Sequence, residues 1–181
     1  MQPTYGQQIA YRILGRDEIE KLREIDRREI VDAVYYLREG KLLLTPEHWE
    51  IPGFGDIDRR VALLTELYAD GGMLFGAFDG ATLVGMSVLE NRLRGADHDR
   101  MQMSGLWVSH AYRRRGIARC LVDMAKSAAR CQGASYLYIS ATPSENTISF
   151  YLGIGCTLTA ELDPELVARE PDDIHFDLML S

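Results

Sequence analysis

Long apolar runs are missing from this chain of 181 residues. No stretch approaches the roughly 20 residues that a bilayer-spanning helix needs, so a membrane is not an expected partner. Residues 1–10 have neither the basic start nor the apolar stretch of a secretory leader, and the expected location is cytoplasmic. Cysteine is scarce and odd in number: Cys120, Cys131 and Cys156, with no CxxC pair. That spacing argues against both a disulfide framework and a zinc site. The histidines, His48, His98, His110 and His175, are scattered without ligand spacing, so no metal is expected. Basic charge is also short. Twenty Lys and Arg face 27 Asp and Glu, for a net charge of −7. Nucleic acid is therefore not an expected partner, because a phosphate backbone calls for clustered cations. There is no internal repeat and no low-complexity stretch. What is left is 46% apolar and 26% charged residues, the profile of a single globular domain over residues 1–181 with a real core.

Read along its length, the chain alternates helical and strand patterns. Residues 9–14 form a short strand pattern. Asp17 then opens a charged helix with Ile19, Leu22 and Ile25 at helical spacing. Residues 31–37 read as a continuation of helix. Residues 40–55, with Pro46, Pro52 and three glycines, read as loop. Helical spacing returns over 56–68. Two strands, 73–78 and 81–89, flank Asp79-Gly80, a dipeptide that favours a two-residue hairpin with positive φ at both positions. Polar residues 91–101 read as the loop to the next strand, 103–109. A helix follows residue 116, with Ile117, Leu121, Met124, Ala125, Ala128 and Ala129 on one face and Gly133 beyond its end. A strand at 136–141 precedes Thr142-Pro143-Ser144-Glu145, which carries capping-box features. Two closing strands, 156–160 and 174–180, are joined by an acidic, proline-containing connection. The order is β-α-α-β-β-β-α-β-α-β-β, a mixed α/β fold with one hairpin and one β-α-β crossover.

The most informative stretch is Leu106-Trp107-Val108-Ser109-His110-Ala111-Tyr112-Arg113-Arg114-Arg115-Gly116-Ile117-Ala118. A strand runs into a turn and the turn opens a helix. The first helical N–H groups have no partner within the helix, and the helix dipole adds partial positive charge at the same place. Three arginines supply forked donors, and a glycine lets backbone approach an anion closely. On these residues alone, a phosphate or pyrophosphate site and a solvated basic turn are equally open. The pattern is neither the Gly-x-x-x-x-Gly-Lys-Ser/Thr loop of NTPases nor the Gly-x-Gly-x-x-Gly of dinucleotide folds.

The form Arg-x-x-Gly-x-Ala at Arg113, Gly116 and Ala118 resembles the Gln/Arg-x-x-Gly-x-Gly/Ala signature of the GNAT N-acetyltransferases. The strand before it, the amphipathic helix after it, and residues 144–155, which look like the family's last helix, extend the resemblance over roughly 9–180. It implies a mostly antiparallel α/β sheet in which a central parallel pair, 103–109 and 136–141, splays apart. It implies acetyl-CoA as acyl donor and an amine as acceptor. The amides of residues 114–118, in the turn of Arg113, Arg114, Arg115, Gly116, Ile117 and Ala118, would hold the CoA pyrophosphate. The backbone of Leu106, Trp107 and Val108 would run beside the pantetheine arm. The family's usual Asn falls on Ser144 by position while Asn146 follows two residues later, so either could be the residue that meets CoA. The usual Gly-Phe reads Gly155-Cys156.

The chemistry of the implied reaction sets the remaining roles. An ammonium must lose a proton before it attacks a thioester, the tetrahedral oxyanion needs a donor such as a backbone N–H near Val108, and the departing thiolate benefits from an acid. The resemblance assigns the acid to Tyr151, against a plain core aromatic beside Phe150. Glu90, near a strand end, is the candidate base, with Asp97, His98, Asp99, His110 and a water chain as rivals. The resemblance puts the acceptor pocket at about 27–57 and 157–176, where Tyr35, Tyr36, Trp49 and Phe54 either line it or pack. A CoA-binding sensor without catalysis is the alternative function, a nucleotide-binding module a weaker one. A homodimer is left open.

Overall fold

The computed structural model describes residues 8–180, and most of the leading segment read above for a leader lies outside them. Nine strands, four α-helices and two short 3-10 turns follow one another within the described residues. Strand β1 (Ala10–Ile13) leads into a 3-10 helix, Arg16–Glu24. Its apolar residues fall every third position, which suits three residues per turn better than the α-helical pattern read from the sequence. Ile19, Leu22 and Ile25 are buried as expected.

Residues 27–57 overturn the sequence reading. Instead of helix and loop they hold a long hairpin, β2 (Glu29–Arg38) and β3 (Lys41–Ile51), turning through Glu39 (φ 51°) and Gly40 (φ 74°). The cause is a register break between Val31 and Ala33. It brings Val31 and Val34 to the same buried side, at 2% and 0% exposure. Buried residues three apart imitate a helix, although the backbone is extended. Pro46 sits beside this break, where a missing N–H is tolerated.

Helix α1 (Ile57–Ala69) starts where expected, with Asp56 accepting from the Arg59 N–H at 2.9 Å. Strands β4 (Met73–Asp79) and β5 (Thr82–Arg94) pair antiparallel. Asp79 pairs with Thr82, so the two loop residues are Gly80 and Ala81 rather than Asp79 and Gly80. Of these only Gly80 has positive φ, the mark of a II′ rather than a I′ turn. β6 (Arg100–Val108) begins earlier than expected, so the supposed 91–101 loop shrinks to 95–99. Helix α2 (Ile117–Cys131), β7 (Tyr136–Ala141), α3 (Glu145–Gly153), β8 (Thr157–Leu158), a short α4 (Pro164–Arg169) inside the acidic connection, and β9 (Ile174–Met179) complete the chain.

The main sheet has the order β1-β4-β5-β6-β7-β9-β8, with β2-β3 as a separate two-stranded sheet. Every pairing in the main sheet is antiparallel except β6 with β7. One apolar core joins the sheet to α2 and α3, through Leu121, Ala125, Ile148 and Tyr151. A second core on the opposite face joins it to the 3-10 helix and α1, through Leu22, Val61 and Leu64. The central strands are therefore covered on both faces, and their edges and ends are what remain for binding.

Candidate active site

The parallel pair is joined at one end only. β6 and β7 pair through Arg100↔Tyr136, Met101↔Leu137 and Gln102↔Tyr138, yet β6 runs on to Val108 and β7 to Ala141. Beyond Gln102, the edge of β6 that faces β7 has no strand partner. A bulge contributes to the parting. Val88 pairs with Gly105 and Leu89 with Met103, which leaves Ser104 as an extra residue on β6. The other edge of β6 stays fixed to β5, with Leu106, Trp107 and Val108 opposite Ser87, Met86 and Gly85. So the edge of residues 106–108 runs along a gap with no strand partner, as a strand edge does beside an extended ligand, although the Val108 C=O is taken by Arg113 Nε.

The turn after β6 stands at the head of this gap. Its base is held by the chain just before β2: Ser109 Oγ accepts from Asp26 N at 3.1 Å and His110 N donates to Asp26 O at 2.8 Å. Arg113 is part of that anchor. Its Nε donates to Val108 O at 3.2 Å, its Nη2 donates to Arg27 O at 3.2 Å, and its Nη1 lies 3.4 Å from Glu29. Its guanidinium therefore shapes the turn, leaving the amides of the turn to face outward. Arg114 (φ 62°) and Gly116 (φ 81°) are both left-handed. Gly116 caps α2 with no side-chain hydrogen bond, and a Cβ placed on it would meet nothing within 4 Å. The space beside the glycine is open, and the first amides of α2, at Ile117 and Ala118, have no partner within the helix. Arg114 and Arg115 are exposed and form no ion pair with any described residue, Arg115 lying over the Tyr112 ring at 5.1 Å. Open backbone, a helix N-terminus and two uncommitted cations fit a pyrophosphate.

Other predicted residues are placed less directly. Asn146 donates to Glu29 Oε1 at 3.2 Å, so Glu29 links it to Arg113, a bridge the sequence gave no sign of. Ser144, 1% exposed, caps α3: it accepts from Thr147 N at 3.3 Å and donates to Thr147 Oγ1 at 2.8 Å. Trp107 packs edge-on against Phe54 with ring centres 5.3 Å apart, and Arg60 lies over it at 5.5 Å.

Tyr151, on α3, is 6% exposed and packs against Phe150 and Phe176. Burial, then the charge of Cys156 and of Asp173, raises its pKa above the ordinary phenol value. It is therefore held protonated, the form an acid requires. Its hydroxyl has no hydrogen-bond partner among the described residues. Glu90 lies beside Gln102, at the closed end of the gap. It receives a hydrogen bond from Arg94 at 3.1 Å, and the Gln102 amide, oriented to satisfy both residues, donates to both its oxygens at 3.2 Å. Asp97, His98 and Asp99 are in the 95–99 turn, at the start of β6. Nine residues of strand, about 25 Å, separate them from the turn after β6. His110 is exposed within that turn.

Residues 34–155 match the Acetyltransferase (GNAT) family. The chain belongs to this family. Its reaction class is acetyl-CoA-dependent N-acetyl transfer, and acetyl-CoA is the donor. The solved structures agree in fold. Nourseothricin acetyltransferase superposes with a TM-score of 0.71 at 21% identity, covering 96% of this chain and 99% of that one. A candidate streptothricin acetyltransferase from Bacillus anthracis str. Ames, in complex with acetyl coenzyme A, gives 0.67 at 16% identity, with 97% and 99% covered. PaiA N-acetyltransferase from Thermoplasma acidophilum, with coenzyme A, gives 0.63 at 16%, with 95% and 99% covered. A search among curated proteins returns no match. Among the described residues no helix is long and apolar enough to cross a membrane, and no group of side chains could hold a metal ion.

Proposed function

We propose that the chain moves an acetyl group from acetyl-CoA to a primary amine on a small molecule or peptide, as a cytoplasmic enzyme. The observation that carries this is the gap between β6 and β7 beyond Gln102, with the open Gly116 turn at its head. The amides of residues 114–118 bind the pyrophosphate. The free edge of residues 106–108 pairs with the amides of the pantetheine arm, and a backbone N–H near Val108 receives the oxyanion. Tyr151 gives its proton to the departing thiolate. Streptothricin-type antibiotics join polyamines, aminoglycosides, amino acids and N-terminal peptides as acceptors to try, because two fold neighbours carry such names. Assembly as a homodimer is also proposed, supported by Ile30, Leu37, Leu43 and Leu44, which are 46–63% exposed on the β2-β3 hairpin.

Thiol release from acetyl-CoA across that panel tests the reading. A protein that binds CoA but releases thiol with no amine would be a sensor instead. Gly116→Asp supplies the control. It places a charge where the phosphate sits and a side chain on a left-handed residue, and should weaken CoA by well over tenfold in calorimetry. Unchanged affinity would remove the turn from the site.

A further inference from the structure

On the face of the sheet opposite α2, two arginines converge on one aromatic pair and have no acidic partner. Phe54, in the turn between β3 and α1, packs edge-on against Trp107 of β6, and both border the second core. The Arg27 guanidinium lies 5.7 Å from the centre of the Phe54 ring, and its Nη1 donates to Gly53 O at 3.4 Å. The Arg60 guanidinium, from the first turn of α1, lies 5.9 Å from the same centre and 5.5 Å from that of Trp107. Neither arginine forms an ion pair with any described residue, and the Arg60 guanidinium forms no hydrogen bond to one either. The acids beside them in sequence are engaged elsewhere: Asp26 with Arg28, Glu29 with Arg113, Asp56 with the Arg59 N–H and Asp58 with Arg23.

Direct contacts tie this group to the transfer site. Trp107 belongs to the half of β6 that has parted from β7. Its indole lies back over Gly105, where an added Cβ would meet three of its ring atoms at 2.5, 2.9 and 3.0 Å. A side chain there would push the ring off, so glycine is what seats it on the strand beside the gap. On the other side, the Arg27 carbonyl accepts from Arg113 Nη2 at 3.2 Å, within the anchor of the turn that opens α2. Arg27, Phe54, Arg60 and Trp107 are all half-buried, so a ligand can still reach them. We propose that Arg27 and Arg60, braced on the Phe54–Trp107 pair, bind a carboxylate of the acceptor, which makes the acceptor a small amine with a free acid group: an amino acid or a short peptide. This rests on the acetyl-transfer reading above and names its substrate class.

The ligand class follows from the chemistry of guanidinium. Each group presents a planar fork of N–H donors that fits a carboxylate through two parallel hydrogen bonds. Aromatic faces attract these cations and hold them in place, yet they do not use up the forked donors. Two like charges around one ring also repel each other. Burial, and then the charge of Arg60, lowers the Arg27 pKa below its ordinary value; Glu29 and Glu170 oppose this in part, neither of them paired with Arg27. An incoming anion relieves that repulsion. A neutral ligand does not, and a cation adds to it, so the same two charges select against polyamines and other polycations. The aromatic pair supplies apolar surface for the carbon skeleton that carries the acid.

The test measures binding to the protein–CoA complex by calorimetry. The probes are the standard amino acids and a set of dipeptides, each as the free acid and as the amide, with inorganic phosphate and spermidine alongside. At least one free acid should bind wild type saturably, and its amide at least tenfold more weakly. Arg60→Gln and Arg27→Gln should each weaken that acid at least tenfold with CoA affinity unchanged, and Arg60→Lys should lose less than Arg60→Gln. Equal binding of acid and amide, no acid bound by wild type, or acid affinity untouched in both Gln variants overturns the subsite. Phosphate or spermidine bound more tightly than every acid overturns the substrate class. The comparison of acid with amide needs no variant, and thermal midpoints show whether a variant has lost its fold rather than a contact. Thiol release with amines that have no carboxylate, and with no acid, would overturn the subsite and keep the transfer reading. Acids bound without any thiol release would sink the transfer reading and keep the subsite.

Discussion

Around Arg94, three carboxylates converge on one buried guanidinium: Asp163 at 3.0 Å, Glu90 at 3.1 Å and Glu165 at 3.3 Å. Around Ser140, Glu170 and Asp173 converge with no ion pair to any described residue. The connection between β8 and β9 supplies carboxylates to both groups, five to ten residues apart in sequence. In the first, burial pushes Asp163 up, but the Arg94 hydrogen bond and charge together with the Leu166 and Glu165 N–H bonds outweigh it and leave the carboxyl below its ordinary range. In the second, burial and the neighbouring Glu170 outweigh the hydrogen bond from Ser140, and Asp173 rises to about 7. The difference separates carboxylates whose charge arginine already matches from carboxylates that form no ion pair among the described residues. An acid whose charge is already matched has little to gain from a ligand. A pair left unmatched costs stability.

The largest effect should come from making the first group resemble the second. Arg94→Met removes the cation from a site where the arginine side chain is only 2% exposed. Asp163 then has no ion pair among the described residues, while Glu165 keeps Arg92 and Arg169 and Glu90 keeps Arg169 at 3.9 Å; breaking a buried pair on one side costs roughly 3–5 kcal/mol. Urea denaturation should show that loss. A loss below about 1 kcal/mol would mean that the carboxylates turn to solvent and that the two groups differ less than described.

Next comes Tyr151, the proposed acid. Tyr151→Phe keeps the ring packing on Phe150 and Phe176 and removes only the proton. The help it gives belongs to the transition state, so kcat should fall on the order of ten- to a thousandfold while the KM for acetyl-CoA barely moves. Turnover retained with an altered melting point would make Tyr151 a core aromatic.

A smaller effect distinguishes the groups by pH. An Asp unfolded near pKa ~4 and folded near 7 binds its proton more tightly in the folded state. Its contribution to stability is therefore full below about pH 4 and is lost as pH rises through 7. Asp173→Asn has no proton to lose. It should match wild type in mild acid and exceed it at pH 8 by on the order of 2 kcal/mol, discounted for partial exposure. Parallel stability profiles would show that the pair is not strained.

How much of this could be read from the sequence depends on how local the cause is. The turn at 113–118 was legible as a strand-turn-helix junction because strand end, Gly116 and helix start are contiguous, and α2 because its buried residues keep a clean period. The hairpin at 29–51 was not, since one register break set Val31 and Val34 three apart and hid the alternation. The acidic connection was visible as composition. Its division into matched and unmatched carboxylates was not, because Arg94 and Ser140 come from strands far away in the chain. Asn146 likewise meets Glu29 across more than a hundred residues.

The smallest effect is expected at Glu90, and it probes the comparison at its weakest point. Glu90 has the right residue type for a base and lies beside Gln102 at the closed end of the gap. Its oxygens are already occupied by Arg94 and the Gln102 amide. A base must have a lone pair free for the incoming proton, and protonating Glu90 would give up a charge-assisted hydrogen bond with Arg94. Glu90→Gln keeps the shape and can still accept from Arg94, so kcat/KM with the best acceptor should change by less than about threefold, with a stability loss near 1 kcal/mol. A hundredfold fall in kcat at unchanged stability and unchanged CoA affinity would place the base inside the arginine-matched group. Arginine matching would then no longer mark a carboxylate of this sheet as structural.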